Sequence, residues 1–171
     1  MSSVYFGGSR HLGNHPSPLL AKVVRAVVVS GQSVHVGCQR GADAQVLYSC
    51  NASSLVVFAV SPQVALSPVP VQWAFARGAR VVFGAGGQSA PIPARFLLRS
   101  LAGLAGCSAA VFFSPGAGSL AVASHAVGSG VPVFAFGELP ASIPGCAGQW
   151  VQSSFMGFVC WQWQSSQLVL F

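Results

Sequence analysis

Charge is what this sequence has least of: 6% of its 171 residues are charged, and only two of them, Asp43 and Glu138, are acids. Two carboxylates far apart in sequence leave little room for mechanisms that need paired acids, an acidic metal cage or a Ser-His-Asp relay. Basic tracts are lacking too, because seven arginines and one lysine are spread along the chain. The formal net charge of +6 favours anionic partners in general, nucleotides or nucleic acid among them. No apolar run reaches the roughly 18 residues of a membrane span. The longest, Leu101 to Phe113, is broken by Gly103, Gly106 and Ser108, so no spanning segment is expected. Met1 to Gly8 lacks the basic start and apolar centre of a secretory signal, and cytoplasmic residence is the default expectation. The five cysteines, Cys38, Cys50, Cys107, Cys146 and Cys160, form no C-x-x-C pair and no regular metal spacing, so they are expected as buried free thiols. His11 and His15 stand four apart, but Gly13 and Pro16 disfavour the helix that would align them, and no zinc site is expected. So sparsely charged a surface leaves apolar and neutral polar area uncovered, and self-association is expected.

What is present is a chain that is 53% hydrophobic, which excludes intrinsic disorder and supplies a real core for one domain or one domain with a short extension. Val4-Tyr5-Phe6 reads as a buried strand entering the turn Gly7-Gly8-Ser9-Arg10. Leu19, Leu20, Val23, Val24, Val27 and Val28 then recur at helical spacing, opened by Pro16 and Pro18 and stopped by Gly31. Ser33 to Gly37 predicts a second strand, followed by a glycine-containing turn over 38–43 and a helix to about Cys50. Further strands are expected at Leu55 to Val60, Ala79 to Phe83, Ala109 to Phe113 and Val131 to Phe136. Helices are expected around Val71 to Arg77, after Pro91 and Pro93, and from Leu120 to Ser129, where His125 is expected to be structural. Alternating strands and helices at this spacing predict an α/β fold of Rossmann-like, doubly wound type, with a mostly parallel sheet and helices on both faces. Residues 1–140 are expected to form this domain. Residues 141–171, rich in Trp and Phe interleaved with Gln and Ser, are expected to be an aromatic C-terminal extension packing on the domain or on a neighbouring subunit.

Three glycine-rich turns, at Gly7 to Arg10, Gly37 to Asp43 and Ser114 to Ser119, each follow a predicted strand. A parallel sheet brings all three to its carboxyl edge, where open α/β sheets bind ligands. Glycine lets backbone approach a phosphate, and free N–H groups at helix termini supply donors. The expected ligand contacts are Gly8, Ser9, Arg10, Arg40, Gly41, Asp43, Arg99, Pro115, Gly116, Gly118 and Ser119. Asp43 has a competing reading as a helix cap or as the salt-bridge partner of Arg40, ahead of a contact to a ribose hydroxyl. Arg95 and Arg99, four apart on one helix face, are expected to be committed to something in so uncharged a chain.

These motifs resemble the SLOG superfamily of Rossmann-like proteins over about 4–136. Val4 to Arg10 is similar to its opening strand and G-S-R turn, and Val36-Gly37-Cys38-Gln39-Arg40-Gly41-Ala42-Asp43-Ala44 to its G-x-x-R-G-A/I-D element. Ser114-Pro115-Gly116-Ala117-Gly118-Ser119-Leu120 with Gly130-Val131-Pro132-Val133-Phe134 is similar to its phosphate loop and final strand. The resemblance extends to three branches. Small nucleotide-binding members imply a module, sensing or regulatory, that takes a nucleotide or nucleotide-derived phosphate ligand, and this is the leading expectation. The DNA-processing protein A (Smf) family implies the alternative, a single-stranded nucleic-acid-binding protein, through the Gly118-Ser119-Leu120 turn. The "lonely guy" phosphoribohydrolases carry a glutamate whose position here falls near Val122, so no catalytic residue is assigned. A remnant phosphoribohydrolase and a self-assembling structural protein are the remaining alternatives. No metal is expected, and no cofactor beyond the nucleotide-derived ligand.

Overall fold

A computed structural model describes residues 2–13 and 17–166. His15, Pro16 and Phe171 therefore lie outside the described residues, and with them the His11/His15 pair. The chain runs β1 (Ser3–Gly8), α1 (Pro18–Val29), β2 (Ser33–Val36), α2 (Ala42–Ser49), β3 (Leu55–Phe58), α3 (Val69–Ala76), β4 (Arg80–Val82), α4 (Ile92–Leu104), β5 (Ala109–Phe113), α5 (Ala117–Gly128), β6 (Val133–Phe136), β7 (Gly148–Phe155) and β8 (Phe158–Ser165). One sheet holds all eight strands in the order β4-β3-β2-β1-β5-β6-β8-β7. The first six are mutually parallel, β8 joins β6 antiparallel, and β7 pairs antiparallel along the whole of β8. The expected α/β, Rossmann-like, mostly parallel sheet is present.

Residue alternation in the central strands divides the core in two. Val4 and Phe6 of β1, with Val111 and Phe113 of β5, pack on one face beneath α1, α2 and α3. Tyr5, Ala110 and Phe112 point the other way, beneath α4 and α5. The period of two along a strand thus dictates helices on both faces. α1 is built largely from valine, a residue that loses side-chain freedom in a helix. Its Leu20, Val23, Val24 and Val27 are fully buried, and packing overrides that propensity. Ser17 caps its start, the hydroxyl accepting from the Leu20 N–H at 3.3 Å, and Pro18 occupies its first position.

The structure adjusts several element ends. α5 begins at Ala117, three residues ahead of the expected Leu120, because Ala117-Gly118-Ser119 forms its first turn and the Ser119 hydroxyl is held by the Gly8 carbonyl at 3.0 Å. β6 begins at Val133, since Val131 and Pro132 close the turn before it. The aromatic C-terminal segment is a hairpin that extends the molecule's own sheet. Phe155 lies 4.8 Å from Phe134 of β6, and Trp163 is buried beside Trp150 at 5.4 Å. His125, expected to be structural, is exposed in the last turn of α5, where a basic group complements the helix dipole. All five cysteines are free, four buried and Cys146 half-buried. No helix among the described residues is long and apolar enough to cross a membrane.

Candidate functional site

The chain leaves β1 toward β2, β3 and β4 on one side and then returns to lay β5 on the other. Between the carboxyl ends of β1 and β5 the flanking loops therefore diverge, and open α/β sheets place ligands at such a switch point. A cleft of about 540 Å³ lies there. Its walls come from the β1 turn (Gly8, Ser9, Arg10), the first turn of α5 (Gly116, Gly118, Ser119) and α4 (Phe96, Leu97), with Asp43 and Arg99 also lining it. The turns at Gly7 to Arg10 and Ser114 to Ser119 thus lie across the cleft from each other, the turn at Gly37 to Asp43 reaches it through Gln39 and Asp43, and α4 adds a wall that the turn pattern did not include.

Each turn is held by backbone bonds. The Ser9 N–H donates to Phe113 O at 3.0 Å, and Ser9 O accepts from the Ala42 N–H at 3.0 Å, tying β1 to β5 and α2. Gly41 makes the second tie possible: its φ is +77°, and a Cβ there would stand 2.3 Å from Ser9 O. The Ser9 hydroxyl accepts from the His11 N–H at 3.1 Å, fixing the turn that carries Arg10. The first turn of α5 lines the cleft, and the opening N–H groups of a helix have no helical partner of their own, the arrangement that binds anions. The Ser119 hydroxyl is turned inward, its proton given to Gly8 O.

The charged pair of the cleft differs from the expected one. Asp43 Oδ2 accepts from Arg99 Nη1 at 3.1 Å and from the Gln39 N–H at 3.0 Å, and both side chains are buried. Arg40 is exposed on the rim, so the Asp43–Arg40 salt bridge gives way to Asp43–Arg99, formed across 56 positions of sequence. Burial opposes charge on Arg99, but the nearby Asp43, Tyr5 and Cys38 outweigh it and hold the guanidinium above its ordinary value. Arg99 Nε has no partner. Burial also pushes the Tyr5 hydroxyl up to about 12, against the opposing field of Arg99. Arg95, four residues before Arg99, instead binds the loop ahead of α4: Nε donates to Ala90 O at 2.7 Å and Nη2 to Gln88 O.

Of the expected contacts, Gly8, Ser9, Arg10, Asp43, Arg99, Gly116, Gly118 and Ser119 line the cleft. Arg40 lines a shallow neighbouring depression with Arg10, His11, Leu12 and Gly13, so Arg10 and His11 belong to both hollows. Gly41 and Pro115 line neither. On α5 it is Ala121 that reaches the cleft, while Val122 is buried in the core. Sequence reasoning passed over Tyr5, Phe96 and Ser100. Phe96, three residues before Arg99, is a position that helical spacing puts on its face, whereas Ser100, one residue after it, is not, and no local signal marked it. It also read Gly37 as the end of a strand and the start of a glycine-rich turn. A Cβ there would lie 1.1 Å from Arg99 Nη1, so Gly37 makes the space the guanidinium fills.

No protein-family model matches this chain, and no curated protein matches it. Two solved structures share its fold. DNA processing protein A from Helicobacter pylori is 17% identical, with a TM-score of 0.65 over 84% of this chain and 67% of that one. DNA processing protein A from Streptococcus pneumoniae is 19% identical, with a TM-score of 0.60 over 85% of this chain and 52% of that one. The chain thus spans about two thirds of the first and half of the second. The Helicobacter pylori structure concerns a single-stranded DNA binding mode. At these identities the likeness establishes the fold.

Proposed function

We propose that this chain binds single-stranded nucleic acid, seating one nucleotide in the cleft while the strand's phosphates continue past Arg10 toward Arg40. The observation that carries this reading is the sharing of Arg10 and His11 between the cleft and the depression that holds Arg40. A free mononucleotide is served by the cleft alone, whereas a polymer needs cationic groups beyond its rim. Arg10 and Arg40 are exposed and make no ion pair among the described residues, so their planar guanidinium groups are available to phosphate. The N–H groups that open α5 hold the seated phosphate, and Phe96 offers ring area to a base. The net charge of +6 and the single-stranded DNA binding mode of the structurally similar Helicobacter pylori protein support the same reading.

A second reading, a module for a free nucleotide or nucleotide derivative, is favoured by the size of the cleft, which lies in the range of small-molecule sites. Anisotropy of a labelled thymidine oligonucleotide of about 20 nucleotides, titrated at several salt concentrations, separates the two. Binding should weaken steeply with salt, and Arg10→Ala and Arg40→Ala should each shallow the log–log slope by roughly 0.7. If the oligonucleotide fails to bind while a nucleoside monophosphate raises the melting temperature, and that rise is lost in Arg10→Ala but kept in Arg40→Ala, the free-nucleotide reading replaces it.

A further inference from the structure

The two edges of the sheet are built differently. β4 ends one side after three residues, the first of them Arg80, with Arg77 shortly before it. Brevity and charge are the usual protections of an edge strand. β7 ends the other side with eight residues, Gly148-Gln149-Trp150-Val151-Gln152-Ser153-Ser154-Phe155, that include no charge and no proline. No charged side chain follows Glu138 anywhere in the chain. Among the described residues nothing pairs with the outer side of β7.

The hydrogen-bonding sense of that edge follows from the turn. Phe155 and Phe158 flank a two-residue loop, Met156-Gly157, with φ of +51° and +83°, a tight hairpin of the primed kind. The pair flanking such a loop exchanges both backbone bonds, and alternation then assigns Ser153, Val151 and Gln149 to bonding with β8. The N–H and C=O groups of Trp150, Gln152 and Ser154 accordingly point outward.

We propose that β7 is a self-pairing edge, and that two copies of this chain join antiparallel across a two-fold axis at Gln152. In that register Gln152 meets Gln152 of the second copy and Trp150 meets Ser154 in both directions, so the outward backbone groups of all three residues gain partners. Self-complementarity selects a second copy over another protein: a glutamine amide both donates and accepts, and matches its own image. Charge points the same way. Two molecules of net charge +6 repel, and the segment after Glu138 is where neither brings any charge to the contact. The pairing joins two eight-stranded sheets into one. Because β7 runs parallel to β1 and antiparallel to its copy, the two clefts open on opposite edges of the joined sheet. This inference stands apart from the ligand reading.

Sedimentation velocity over a range of protein concentrations tests it, with hydrogen exchange read at individual amides. The intact chain should show a reversible dimer, and the amides of Trp150, Gln152 and Ser154 should gain protection as concentration rises. Gln152→Pro removes an outward N–H while sparing the bonds to β8, and should sediment as a monomer that melts as the intact chain does at dilutions where it is itself monomeric. Ser154→Lys puts a charge on the edge, should also be monomeric, and keeps the test decisive if the proline variant misfolds. A monomer at every concentration overturns the proposal, as does a dimer that survives both substitutions. So does a monomer that dimerises only when residues 167–171 are deleted, which would make the chain's own end the occupant of this edge.

Discussion

Asp43 and Arg99 set the energetic stakes of single side chains here. A buried ion pair contributes little over a well-packed apolar pair, but removing one partner strands the other in a low-dielectric interior. Arg99 already leaves Nε unpaired, and Asp43 is its one ion-pair partner among the described residues. Asp43→Ala should destabilise the fold by about 3–5 kcal/mol in denaturant titration. Asp43→Ala with Arg99→Met should recover most of that loss, giving a large coupling in the double-mutant cycle. A small single-mutant effect, or additive effects, would contradict the buried pair. Gly37→Ala should behave like the loss of Asp43, because its methyl group occupies the place of Arg99 Nη1.

At the scale of elements, two glycines with nearly the same φ separate the hairpin from the site. Gly157, at φ +83°, turns β7 into β8 in open space, whereas Gly41, at φ +77°, starts α2 against the Ser9 carbonyl. Gly157→Ala therefore incurs only the left-handed backbone penalty, about 1–2 kcal/mol, and should leave oligonucleotide affinity unchanged. Gly41→Ala adds a collision with the turn that carries Arg10, so it should lose more stability and also weaken binding by anisotropy. Equal behaviour of the two variants would mean that the bond from the Ala42 N–H to Ser9 O does not position the cleft.

For the whole molecule, the neutral titratable groups in the core govern how the fold responds to alkali. Burial pushes Cys50 and Cys107 from an ordinary 9 up to about 12, and Tyr5 from 10 up to about 12. Cys50 lies in the core beneath α1, and Tyr5 and Cys107 in the core beneath α4 and α5, so both layers are affected. Each group is protonated in the folded state at pH values where the unfolded chain has already released its proton. Stability is therefore complete below about pH 9 and declines as pH rises from 9 toward 12, by about 1.4 kcal/mol per unit for each group that has begun to titrate in the unfolded chain. Urea midpoints measured under reductant across this interval should fall, and Cys107→Ala should flatten the fall by one group's share. A midpoint independent of pH would show that these groups are not buried.

Some of this was determined by the sequence alone. The period of two in Val4-Tyr5-Phe6 and Ala109 to Phe113, the helical spacing of Leu20, Val23, Val24 and Val27, and the glycines that end the strands all act over a few residues. They specified the alternating α/β order and brought Ser9, Arg10, Gly116 and Ser119 to one edge of the sheet. Only the tertiary structure decided that Asp43 pairs with Arg99 rather than with Arg40, that Gly37 makes room for that pair, and that the C-terminal hairpin joins its own sheet. Those outcomes depend on contacts between segments tens of residues apart, where chain entropy and the match of surfaces choose the partner. Nothing local in Asp43 distinguishes an arginine three residues away from one brought beneath it by a helix folded across the sheet.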